Sequence, residues 1–188
     1  METKLNLVLL AVLGASWGAI TLAEPAAALD PSQHATEELA ALEDAFAADR
    51  GDPDLARRLA DHYLTLSSPQ LAVAALSAST PEVREDPAIL HRLAQAYEET
   101  GRMEDALATA DLALARCARA LGTSDASEVT PAPAHTCSER TYAALEMHVN
   151  ALAYMSRWGV TDVQNDPRSR TAYALAVRSA RILSASAE

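Results

Sequence analysis

The stretch "DPAILHRLAQAYEETGRMEDALATADLA", Asp86–Ala113, decides the fold. Asp at a helix cap followed by Pro at the first helical position is a preorganised helix start, because proline lacks only an N–H that would have no partner there. Leu93, Ala94 and Tyr97 then follow at i, i+1 and i+4, one stripe of a helix. The small alanine lets a partner helix approach and the tyrosine ring fills the space beside it. Gly101 predicts the stop, since a residue past the last helical turn commonly takes a left-handed conformation. A second helix is expected from about Met103 to Ala120, with Ala106, Ala110 and Ala113 on its packing face. The stretch therefore reads as one helical hairpin.

A second copy lies upstream. "DPDLARRLADHYLTLSSPQLAVAALSAS", Asp52–Ser79, falls on the first stretch without a gap. Asp52/Asp86, Pro53/Pro87, Arg58/Arg92, Leu59/Leu93, Ala60/Ala94, Tyr63/Tyr97, Ala72/Ala106 and Ala74/Ala108 are identical. Alanine matches carry little weight in an alanine-rich chain, whereas the Asp-Pro, Arg-Leu-Ala and Tyr matches carry more. Ser67-Ser68-Pro69 stands where the other copy has Gly101-Arg102-Met103, so the turn chemistry differs and the repeat is degenerate. A period of 34 residues (86 − 52) with this pattern resembles the tetratricopeptide repeat, a helix–turn–helix unit. The resemblance implies an all-α fold in which hairpins stack into a right-handed superhelix.

Two repeats bury their apolar faces only against neighbours, so the flanks should supply them. "ATEELAALEDAFAAD", Ala35–Asp49, has Leu39, Leu42, Ala45 and Phe46 at helical spacing and lies where the second helix of a preceding unit belongs. Downstream, Ser138 caps a long helix to Gly159, and Asp166-Pro167 starts a last one to about Ser184. Ala151 and Tyr154 are three apart, like Ala60/Tyr63 and Ala94/Tyr97, which suggests a divergent third hairpin that caps the stack. The expected organisation is repeats at about 52–85 and 86–119, a loop at 120–138, and a capping hairpin at 139–185, within a helical domain of residues 29–188.

The wider composition agrees with helices. Glycine (6 residues) and aromatics (4%) are scarce in the 188-residue chain, whereas strands favour aromatic and β-branched residues. The formal charge is −11 and the single lysine is Lys4, so there is no basic stripe and no nucleic-acid partner is expected. Met1–Lys4 leads into the apolar run "LVLLAVL", Leu7–Leu13, and then into small residues at Ala23 and Ala26–Ala28. This reads as a secretory signal peptide over 1–28. The alternative is an uncleaved anchor, with membrane association through residues 1–23. Either reading places the rest of the chain beyond the cytoplasm, periplasmic or extracellular.

The only two cysteines, Cys117 and Cys137, bracket a Gly-, Ser-, Thr- and Pro-containing stretch, and in an exported protein such a pair reads as a disulfide. No phosphate-binding glycine loop, HExxH helix or Gly-x-Ser-x-Gly elbow is present, and no metal set or haem attachment sequence emerges. No catalytic residue, metal or cofactor is expected. His62 and His91 sit beside arginines and read as solvated surface; His148, on its amphipathic helix, reads as a structural histidine.

What remains is a groove. The resemblance implies that first helices of successive repeats line a concave surface that takes an extended peptide or a partner's helix. By register those positions are Arg57, Asp61 and Leu64, then His91, Gln95 and Glu98. Asp61 and Gln95 stand where carboxylate-clamping members of the family carry asparagine, so that specificity is not implied. The expected function is a non-enzymatic scaffold in the cell envelope, binding a protein partner through the groove. The alternative is a structural subunit of an oligomeric or filamentous assembly, a homo-oligomer included.

Overall fold

The computed structural model describes residues 31–122 and 137–185, with side chains described between 35 and 180. The segment read as a signal peptide or anchor and most of the Ala120–Glu139 loop lie outside those residues. The chain divides into two units, Met1–Glu38 and Leu39–Glu188. Of the first unit only the beginning of the helix α1, Pro31–Ala48, is described. The second unit holds the remainder of α1 and seven further helices: α2 (Pro53–Thr65), α3 (Pro69–Ser77), α4 (Pro81–Arg84), α5 (Pro87–Glu99), α6 (Met103–Ala120), α7 (Glu139–Arg157) and α8 (Pro167–Ala185). Among the described residues there is no strand, so the fold is all-α. None of the described helices is long and apolar enough to cross a membrane.

The two Asp-Pro starts have the same geometry. Asp52 Oδ1 accepts from the Asp54 and Leu55 N–H groups at 2.8 and 3.2 Å, and Asp86 Oδ1 accepts from Ala88 and Ile89 at the same distances. These bonds occupy N–H groups that the helix itself cannot satisfy. The ends match too. Gly101 takes φ +75°, with its N–H on the Glu98 carbonyl and the Arg102 N–H on the Tyr97 carbonyl. Ser67 takes φ +53° with the equivalent bonds to Leu64 and, from Ser68, to Tyr63. The turn chemistry differs, as its sequence requires, while the turn geometry is kept.

A third such turn closes α7: Gly159 has φ +64°, and Val160 donates to the Met155 carbonyl. Aligning Gly159 with Gly101 sets the register of α7. The buried set Ala56, Leu59, Ala60 and Tyr63 then falls on His148, Ala151, Leu152 and Met155, every one of them buried. The Ala151/Tyr154 pairing expected from sequence is out of step by one residue. Tyr154 is half-buried and stacks on Trp158, ring centroids 5.6 Å apart. The cause is physical: only the turn residue must tolerate a left-handed backbone, so the turn fixes the register and Ala-x-x-Tyr does not.

α5 is the central helix. It presents Ile89 and Ala96 to a core with Leu42, Phe46, Leu59, Tyr63, Leu76 and Val83, and Ala94 to a second core with Met103, Ala106, Ala110, Leu152, Met155 and Ala176. Alanines at 0% exposure along α5 and α6 let these helices approach closely. Each fully buried Leu, Ile or Met side chain contributes about 1.5–3 kcal/mol relative to exposure. A smaller core joins Leu90, Ala113, Cys117 and Leu145. There Cys117 is paired with Cys137 in a disulfide, Cα atoms 5.3 Å apart, tying the end of α6 to the residues before α7.

Candidate functional site

α2 and α5 lie side by side, and the α7–α8 connection and α8 stand opposite, leaving an open cleft of about 570 Å³. Its lining comes from α2 (Asp61, Leu64), from α5 (Arg92, Gln95, Glu98, Glu99) and from Val163, Gln164 and Tyr173 across the gap. Four of the six groove residues expected from sequence line it: Asp61, Leu64, Gln95 and Glu98. The periodicity that puts Leu59, Ala60 and Tyr63 inward turns Asp61 and Leu64 toward this side of the helix.

The polar lining is largely paired. Asp61 is bound by Arg92 Nε from the neighbouring helix at 2.6 Å and by Arg57 Nη1 on its own helix at 3.4 Å. Arg92 also donates to Gln95 Oε1 at 2.8 Å. Arg57 does not line the cleft; it braces Asp61 from the α2 surface and reaches Asp54 at 3.4 Å. The pairing of Asp61 with Arg92 crosses between the repeats, so it fixes the relative position of the two walls.

Two of the expected groove residues have other surroundings. Glu98 is 5% exposed at the cleft floor, accepting from His148 Nε2 at 2.8 Å and from the Tyr173 hydroxyl at 2.8 and 2.9 Å. His91 is half-buried rather than solvated, and its ring meets that of His148 with centroids 5.1 Å apart. Burial, then the neighbouring His148 and Arg92, holds the His91 imidazole down at about 4. Both departures have one cause, the packing of α7 and α8 against one face of α5, where His148 meets His91 and Glu98 and Tyr173 meets Glu98, a contact between segments separated in sequence by the loop. His148 is structural in the sense expected, at 3% exposure, yet its Nδ1 has no hydrogen-bond partner among the described residues.

The sequence reading missed Arg92, Glu99 and Tyr173. Arg92 could have been found, because it is one of the identical positions of the repeat; its counterpart Arg58 is exposed. Glu99 lines the cleft without a cationic partner among the described residues. Its carboxyl lies above the ordinary range, because burial disfavours the charge and Glu98 repels it. Tyr173 is likewise raised, by burial first and then by the charge of Glu98. Among the described residues no group of three or more His, Cys, Asp or Glu side chains is arranged to hold a metal ion.

No protein-family model, curated protein or solved structure matches this chain.

Proposed function

We propose that the chain is an exported, non-enzymatic scaffold of tetratricopeptide type, whose cleft holds an extended segment of a partner protein presenting a Lys or Arg side chain. The observation that carries this is the charge balance of the cleft. Asp61 is matched by Arg57 and Arg92, and Glu98 by hydrogen bonds from His148 and Tyr173. Glu99 alone faces the cleft unmatched, its carboxyl held above the usual range, and a cation seated there would relieve both its desolvation and its repulsion from Glu98. The repeated Asp-Pro starts and left-handed turns support a right-handed superhelical stack of hairpins. The apolar N-terminus and the cysteine pair support an oxidising, exported setting.

The test is affinity capture from the native envelope with the wild-type chain and with Glu99→Arg. A partner recovered by the first and lost by the second, at an unchanged melting temperature, is the expected result. Equal capture by both would remove the cleft from the function. The structural-subunit reading finds less support: among the described residues the exposed large apolar side chains are Leu66, Leu71 and Leu112, two flanking the α2–α3 turn and one on α6. Single exposed leucines are ordinary on a monomer surface.

A further inference from the structure

Three helices meet at Glu98. The Tyr173 hydroxyl of α8 donates to both carboxylate oxygens, so Glu98 is an acceptor and His148 of α7 gives it the Nε2–H. That uses one ring nitrogen. The other, Nδ1, is buried without a hydrogen-bond partner among the described residues, which is costly for a lone pair and more costly for an N–H that has no acceptor. The His91 ring lies tilted by 54° against the same imidazole.

The charges facing this histidine pair are few. From α5 come Arg92, Glu98 and Glu99, and from α8 Tyr173. α2 contributes Asp61, already engaged with Arg92 and Arg57. α3 and α6 present Ala72, Leu76, Ala106, Ala110 and Ala113 to the core, and Tyr142 of α7 packs beside Leu90. Glu85, after α4, is engaged with Arg116 of α6 at 3.3 Å. A proton added to the His148 ring puts an N–H at Nδ1, where no acceptor among the described residues faces it. One added to His91 sits 5.1 Å from that ring and beside Arg92.

We propose that the His91–His148 pair is an acid-released latch on the cleft: proton uptake by the pair unseats α7 from α5 and draws Glu98 out of the cleft floor, lowering the hold on a bound cationic segment. This rests on the cleft being the binding surface. The sign follows from the partly desolvated His91 ring. His91 keeps its neutral form down to about 4 while packed, whereas an unpacked imidazole takes a proton near 6.5. Between those values the open seam binds more protons than the closed one, so the closed state loses stability as pH falls through that window.

Native-state hydrogen exchange on the free chain tests this at about pH 7.5 and about pH 5, with rates corrected for intrinsic chemistry. Amides of α7 and of the second half of α5 should lose roughly tenfold or more protection in acid, while those of α2 and α3 change by less than about twofold. His91→Phe keeps a ring in place without a titratable nitrogen and should hold its protection at about pH 5. Unchanged protection in the wild type, or a His91→Phe chain as acid-sensitive as the wild type, overturns the latch. If His91→Phe fails to fold, the ring C–H resonances of the wild type decide: the latch requires His91 to titrate well below the ordinary value, and titration of His91 near about 6.5 overturns it. No partner is used, so a seam indifferent to pH leaves the cleft reading standing, and failure of the Glu99→Arg capture test leaves the exchange result intact.

Discussion

Ser67 does the work of a glycine in the turn between α2 and α3, holding φ +53° where Gly101 holds +75° one repeat later. A side chain in the left-handed region costs roughly 1–2 kcal/mol. Ser67→Gly should therefore raise stability by up to about 1 kcal/mol, visible as a melting temperature higher by a few degrees, since the gain is offset by a more flexible unfolded chain. Gly101 has a second constraint. A Cβ there would stand 2.6 Å from the Thr161 carbonyl oxygen of the α7–α8 connection, whereas one at Gly159 would meet nothing within 4 Å. Gly101→Ala should thus cost clearly more than Gly159→Ala, roughly 3 kcal/mol or above against 1–2, as read from chemical denaturation. Equal losses at the two glycines would mean that the close approach to Thr161 does not hold in solution.

At the scale of elements, the seam between α6 and α7 is closed by a covalent bond as well as by packing. Cys117 is fully buried with Leu90, Ala113 and Leu145, so its sulfur is part of a core and not a tether on the surface. The bond spans a sequence separation of 20 residues, and closing a loop of that size removes about 3 kcal/mol of conformational freedom from the unfolded chain in the entropic account. Cys137→Ser should lower stability by about 2–3 kcal/mol without changing helix content by far-ultraviolet circular dichroism. Thiol titration of the unreduced, denatured wild type should find no free cysteine. Two titratable thiols in protein from an oxidising compartment would reject the bond. The α2–α3 and α5–α6 hairpins are closed by short turns instead, three residues in each.

For the whole molecule, the export and assembly readings yield separate observations. In its own host the mature chain should begin between Glu24 and Leu29, as N-terminal sequencing would reveal; intact Met1 in washed membranes would replace cleavage with the anchor. The mature chain should elute as a monomer across a range of concentrations in size-exclusion chromatography. Concentration-dependent polymers would favour the structural-subunit reading, with Leu66, Leu71 and Leu112 the first residues to examine.

The residues by themselves determined where helices start and stop. Asp52-Pro53, Asp86-Pro87 and Gly101 act through capping bonds and backbone sterics that reach only a few residues along the chain. The inward stripe Leu59, Ala60 and Tyr63 was legible for the same local reason, and from it the cleft-facing Asp61, Leu64 and Gln95 followed. Burial of Glu98 and half-burial of His91 were not legible, nor was the part played by Tyr173, because their surroundings come from α7 and α8, on the far side of a loop whose length breaks the repeat. The register of that last hairpin was lost to sequence too: Ala151/Tyr154 matched by composition, while the left-handed turn at Gly159 sets the true alignment one residue away. Tertiary structure decided the site because it brought one buried carboxylate, two imidazoles and a phenol from three helices together, and the energy of such groups depends on what surrounds them more than on what adjoins them in the chain.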